Sequence, residues 1–146
     1  MLEKLIRHNQ WANETWIRFV ADQAPSDGFL LGRMSHILLA EQVWLQRIDG
    51  EQPRLGVWEA LTVPQLLERH AVHAAVFNRL LSEDGTRVVS YTRFTGERLQ
   101  SPVSDLLLHL SLHSSHHRGQ MAVRASAIGL KPVNTDFIVY SWQHGV

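Results

Sequence analysis

The sequence of 146 residues contains no cysteine. This absence excludes disulfide bonds, thiolate metal ligands and a thiol nucleophile supplied by the chain itself. An excess of charge of one sign is also lacking, because 14 Lys and Arg residues balance 14 Asp and Glu residues. We therefore expect no nucleic-acid partner, since phosphate backbones are bound by basic surfaces.

Long apolar runs are missing too. No run approaches the roughly 18 apolar residues of a membrane span, and the first four residues do not open a signal peptide. We therefore expect a cytoplasmic protein with no membrane partner. The 45% of apolar side chains is enough for one core and argues against disorder. The chain is predicted to form a single domain over residues 1–146.

The spacing of apolar side chains predicts four long helices. They cover 2–22, 29–49, 62–82 and a stretch from Ser101–Pro102 to about Gly129. Thr62 and Gln65 have the spacing of a capping box. Residues 86–100 favour extended backbone and predict a short hairpin or irregular excursion, and 134–136 are predicted to cap a short last helix. The predicted fold is all-α, a four-helix bundle with a short β-like excursion before the last long helix.

Histidine is unusually frequent, with nine residues. On a helical wheel of about 100° per residue, four of them lie within about 60° of His113 on the fourth predicted helix, together with apolar neighbours. They are His109, His113, His116 and His117. Each buried imidazole needs partners, because an unsatisfied buried polar group costs about 1–3 kcal/mol. This stripe is the first indication of a functional site.

A divalent metal ion would satisfy such a stripe. His113 and His117 form an i, i+4 pair that directs two rings to one point, and His109 and His113 form another. All three cannot hold one ion, because eight residues span about 12 Å of helix axis and two nitrogens on one ion are at most about 4 Å apart. The third ligand must come from another helix. His36 is the best candidate for this third ligand, since it lies mid-helix among apolar residues. For each of these histidines the alternative is a hydrogen-bonded core residue that binds no metal.

The remaining histidines are predicted to lie outside this site. His70 and His73 follow charged residues, which predicts a wetter setting. His8 and His144 are close to the ends of the chain and are predicted to be exposed.

Five other residues receive predictions from their positions. Arg118 is predicted to face away from the site and to form a structural ion pair, and Gly119 to allow close approach of another helix. Gln120 is predicted to support a ligand, Glu41 to be in solvent or to support the site, and Trp44 to be a core residue or to line the pocket.

The motif His-Ser-Ser-His-His-Arg-Gly-Gln at 113–120 resembles the signature of the DinB (damage-inducible) superfamily of metal-binding four-helix bundles. Other segments resemble this family in the same order: Asn9–Asn13, Ser35–Leu38 followed by Glu41 and Trp44, Tyr91–Glu97, Ala127–Pro132 and Asp136–Ile138.

The resemblance implies that His36, His113 and His117 are the metal ligands and that His109 and His116 pack or hydrogen-bond nearby. It also implies a homodimer, and it favours a transferase that uses a low-molecular-weight thiol cofactor. Three imidazoles with open coordination positions would equally serve a metal-dependent hydrolase. The ion could be Zn, Ni, Fe or Mn, because imidazole binds all of them. A non-enzymatic metal-binding or interaction protein and a metal-free scaffold remain alternatives.

Overall fold

The computed structural model describes residues 1–54 and 56–145. Within these residues the chain forms five helices and one two-stranded antiparallel sheet. In chain order they are α1 (Leu2–Gln23), α2 (Gly28–Ile48), α3 (Val63–Leu81), β1 (Val88–Thr92), β2 (Arg98–Pro102), α4 (Val103–Ala127) and α5 (Phe137–His144). The predicted all-α bundle with a β excursion is confirmed.

The helix ends follow local capping chemistry. The predicted capping box is present at α3, where the Thr62 hydroxyl accepts from the Gln65 amide and the Gln65 side chain accepts from the Thr62 amide. The start of α4 was predicted about one residue too early, because Ser101 and Pro102 pair in β2 with extended backbone. Beyond α4, Gly129 has φ of 82°, a left-handed conformation that favours glycine.

The hairpin of β1 and β2 joins α3 to α4. Val89 pairs with Ser101, and the turn contains Gly96 with φ of 88°. Val89 and Val103 pack into an apolar cluster with Phe77 of α3 and Leu107 of α4, so the hairpin is fixed to the bundle at the start of α4.

A second apolar cluster fills the other end of the bundle. It includes Trp16 and Ile17 of α1, Met34 and Ile37 of α2, and Met121 of α4. Helix α4 packs against both α1 and α2. Within the α2–α4 pair, the part of α2 around His36 lies opposite the part of α4 around His113. This pairing brings His36 next to the histidines of α4.

The last segment of the described chain folds back over α1. Its Thr135 carbonyl oxygen lies 2.7 Å from Nε2 of His8, and the rings of Phe137 and Tyr140 pack against that imidazole. His8 is therefore buried, and its predicted exposure was wrong because the cover comes from residues more than 120 positions away. His144 is exposed, as predicted.

None of the helices in the described ranges combines the length and apolar character that a membrane span requires.

Candidate metal centre

The three histidines named from the sequence lie together between α2 and α4. Nε2 of His113 is 3.3 Å from Nε2 of His36 and 3.2 Å from Nε2 of His117. We call this group the three-histidine centre. It could hold a metal ion, since one ligand atom from each residue lies within 4.8 Å of the others.

The outward ring nitrogens of two of these residues fix their tautomers. Nδ1 of His36 lies 2.9 Å from the Val57 carbonyl oxygen, which can only accept, so this nitrogen donates. Nδ1 of His117 donates in the same way to Oε1 of Gln120 at 2.9 Å. In both neutral rings the lone pair is then on Nε2 and faces the centre. Such outer hydrogen bonds are typical of metal-binding histidines.

His113 lies between these two lone pairs and cannot satisfy both. If its Nε2 carries a proton, that proton can be donated to one neighbour only; if not, three lone pairs converge. Its Nδ1 is buried and has no partner among the described residues. Two nitrogens about 2.1 Å from a tetrahedral ion lie about 3.4 Å apart, which is close to both observed separations. The donor set and its spacing therefore fit a divalent metal.

Electrostatics keeps the centre neutral. Burial, together with the smaller effect of the neighbouring histidines, lowers the pKa of His113 to about 4. Burial also lowers the pKa of His36 and of His117. The three imidazoles are therefore unprotonated near neutral pH, which is the state that binds metal.

The loop between α2 and α3 covers one side of the centre, a feature that sequence reasoning missed. The ring of Trp58 stacks on His36 with centroids 3.7 Å apart and planes 8° apart, although 61% of Trp58 remains exposed. Arg33 lies over the same indole at 5.1 Å. The loop has no helical periodicity, so nothing in its sequence placed Trp58 or the Val57 carbonyl beside a histidine.

The other two histidines of the α4 stripe lie next to the centre without joining it. His109 packs against Trp44, with centroids 5.2 Å apart, and lies 5.9 Å from His113. His116 accepts from Nε2 of Gln120 at 3.3 Å. Both are exposed, so the expectation that all four imidazoles share a buried face was wrong. The flank of α4 that carries them is open to solvent.

The predictions for Glu41 and His73 were wrong, and the prediction for Arg118 was wrong in part. All three are buried, and with Asn9 and Asn13 they form a hydrogen-bonded cluster that we call the Glu41 network. Arg118 does face away from the three-histidine centre, but it donates to the two asparagines instead of forming a direct ion pair. None of the hydrogen bonds in this part of the described structure joins Glu41 to the centre.

Two further expectations also failed. The side chain of His70 is only 12% exposed, because α3 packs this face toward α1, where Glu14 is 4.0 Å away. Gly119 is exposed, and a methyl group added there would meet no atom within 4 Å. Its predicted role in close helix packing is not found within the chain.

The sequence model of the DinB family matches residues 1–145, which confirms the resemblance drawn from the histidine motif. No curated protein matches the chain.

Proposed function

The chain belongs to the DinB family, and on that premise we propose that it binds a divalent transition metal through His36, His113 and His117 and acts as a metal-dependent transferase with a low-molecular-weight thiol as cofactor. The observation that carries this proposal is the convergence of three Nε2 atoms at separations of 3.2 and 3.3 Å between neighbours. An all-nitrogen set of this kind suits Zn, Ni, Fe or Mn.

The choice of a thiol rests on the resemblance to the DinB family, and the charge of the donor set is compatible with it. A divalent ion bound by three neutral imidazoles keeps its charge and, when bound, lowers the pKa of an additional ligand such as a thiol. The chain has no cysteine, so a thiol must come from outside. Hydrogen bonds to the Val57 carbonyl and to Gln120 orient His36 and His117 so that their Nε2 lone pairs face the centre, where they would hold the ion.

The chain also offers a place for a negatively charged end of the thiol or its electrophilic substrate. Arg47 is 5% exposed, and its Nε has no partner among the described residues. Its guanidinium packs on the rings of Trp44, Tyr91 and Phe94. Arg47 follows His36 by eleven residues, about 16 Å along α2. We propose that an elongated anionic thiol or substrate extends from the centre to Arg47, past Trp44.

Quaternary structure and location complete the proposal. The outer face of α4 exposes Leu112 by 61% and Val123 by 72%, with the exposed Gly119 between them. We propose that this face forms the interface of a cytoplasmic homodimer. Light scattering at tens of micromolar protein tests this interface. We expect a dimer for wild type and a monomer for Leu112→Glu. A monomeric wild-type protein would contradict the proposed dimer.

The first test of the function is metal content. Protein purified without an affinity tag is analysed for metals beside His113→Ala and, as a matched control, His109→Ala. His109 lies one turn away on the same helix. We expect close to one equivalent of metal in wild type and His109→Ala and almost none in His113→Ala. Equal, near-zero content in all three would overturn the metal site.

The second test separates a transferase from a binding protein. Metal-loaded protein is mixed with a chromogenic electrophile and either 8-mercapto-octanol or 8-mercapto-octanoate, whose chain is long enough to approach Arg47 from the centre, and the rates are compared after chelation. We expect acceleration that requires metal, is lost in His113→Ala and is larger for the carboxylate thiol. Metal binding without acceleration by any thiol would leave a non-enzymatic metal-binding protein, whereas acceleration of ester hydrolysis without thiol would indicate a hydrolase.

A further inference from the structure

A cavity of about 430 Å³ lies between α2 and α3, on a part of the surface that the three-histidine centre does not line. Its walls carry polar groups from both helices and an apolar side formed by Leu45, Val72 and Val76. The volume is in the range of small-molecule sites.

Two buried polar atoms at this cavity lack partners. Oε1 of Gln42 and Nε of Arg69 are both buried and make no hydrogen bond to any described residue. Both residues line the cavity, one from α2 and the other from α3. Buried polar atoms are nearly always paired in folded proteins. Both atoms are nearly inaccessible to solvent, so each side chain must rotate slightly to meet a partner in the cavity.

A third group comes from the Glu41 network, whose hydrogen bonds have a fixed direction. Arg118 can only donate, and its Nη1 donates to Oδ1 of Asn9 at 2.8 Å and of Asn13 at 2.6 Å. Both asparagines must then direct their amide Nδ2 the other way. Each donates to Oε1 of Glu41, at 2.9 and 2.8 Å.

The same carboxylate determines the protonation of His73. The other carboxylate oxygen of Glu41 lies 2.9 Å from Nδ1 of His73. Carboxylate oxygens only accept, so this short contact requires the proton to be on Nδ1 of His73. In the neutral ring the lone pair is on Nε2, which has no partner among the described residues. His73 is 4% exposed and lines the cavity.

The charges at the cavity indicate what would fit these groups. Two acceptors, Nε2 of His73 and Oε1 of Gln42, suit a group with several N–H donors, and the nearby carboxylates of Glu51 and Glu68 suit a positive charge. Nε of Arg69 suits a carboxylate.

We propose that the cavity between α2 and α3 is a second ligand site, which binds a small zwitterionic α-amino acid with an apolar side chain. The ammonium group bonds to His73 and Gln42, the carboxylate bonds to Arg69, and the side chain packs on the apolar wall. This site does not depend on the proposed metal or transferase activity.

The test uses the full chain labelled with ¹⁵N at histidine and arginine, with L-valine as the probe. Without ligand, the NMR spectrum of His73 should show the Nδ1–H form. L-valine should shift the His73 Nε2 and Arg69 Nε signals with saturation in the millimolar range. Isovalerate, which lacks the ammonium group, and isobutylamine, which lacks the carboxylate, should each bind at least tenfold more weakly.

Two variants complete the test. Arg69→Met lies on a partly exposed position, so the chain should fold, and binding of L-valine should weaken at least tenfold. His70→Gln, at the next position on α3 but outside the cavity lining, should leave binding unchanged. The proposal would be overturned by an Nε2–H form of His73 or by the absence of saturable shifts with L-valine. It would also be overturned if isobutylamine bound as tightly as L-valine, or if Arg69→Met bound L-valine as tightly as wild type.

Discussion

Two polar clusters of this bundle both use residues of α2 and α4, and they differ in how far their donors and acceptors satisfy one another. In the Glu41 network each hydrogen bond pairs a donor with an acceptor. In the three-histidine centre the Nε2 atoms face one another. The comparison teaches that burial and polarity alone do not identify a ligand site; the direction of each donor and acceptor does.

The largest effect is expected from removing the acceptor at the middle of the Glu41 network. Glu41→Leu leaves two asparagine amides and the His73 Nδ1–H without an acceptor and removes the charge that balances Arg118. Breaking a buried charge arrangement in this way costs about 3–5 kcal/mol. Unfolding in urea measures the loss.

The control for this change is Glu14→Gln. Glu14 has a half-exposed side chain and an i, i+4 ion pair with Arg18, so its loss should cost about 0.5 kcal/mol or less. A cost for Glu41→Leu no larger than that of the control would contradict the assignment of the network as a tightly coupled structural unit.

The second prediction concerns the three-histidine centre, where a metal ion should stabilise the fold. Binding to the folded state alone adds about 2.7 kcal/mol at a free metal concentration one hundred times Kd. Thermal unfolding with and without Zn²⁺ should show this gain in wild type and in His109→Ala. His113→Ala should show none, and an equal gain in that variant would place the metal elsewhere.

The third prediction is a pH dependence of the metal-free protein. An unfolded histidine has a pKa of about 6.5, whereas the pKa of His113 in the folded chain is about 4. Between these values the unfolded chain binds a proton that the folded chain does not, so the free energy of unfolding must fall as the pH falls from about 6.5 to about 4. Urea unfolding at several pH values between about 4 and 6.5 should show this decline in the free energy of unfolding. Above about pH 6.5, His113 should make no contribution to the pH dependence.

His113→Asn isolates the contribution of this ring. The decline should become shallower in the variant, although burial also lowers the pKa of His36 and His117 and part of the slope should remain. The same slope in both proteins would show that His113 does not resist protonation.

The smallest effect is expected at Gly119, which lies outside both clusters. Alanine is favoured over glycine in a helix by about 0.5–1 kcal/mol, and the added methyl group meets nothing within the chain. Gly119→Ala should therefore raise the stability of the isolated subunit by about that amount in urea. A loss of stability that grows with protein concentration would indicate that this face packs closely against a second subunit.

The sequence predicted the helices well because apolar periodicity and capping residues are local signals. The pair His113 and His117 was visible for the same reason, and His36 was visible as a polar residue inside an apolar stretch. Trp58 was not, because no local pattern relates a loop residue to the helix that it covers.

The errors at His73 and His8 have a related cause. Arg69, one turn before His73, lies on the same face of α3 and is itself partly buried, so a preceding charge gave no information about the contact with α2. His8 is covered by a segment that returns from the far end of the chain. Burial of this kind depends on tertiary contacts, which neighbouring residues in the sequence do not encode.

The separation of the histidines along the chain has a mechanical consequence. His36 and His113 are 77 residues apart, and they sit on different helices. A metal ion held by both would close a long loop and restrict the unfolded chain, as a disulfide does in other proteins. In a sequence without cysteine, such a bridge would be a reversible cross-link, formed and released by the supply of metal instead of by redox chemistry. Chelation would then loosen α2 from α4 without altering a covalent bond.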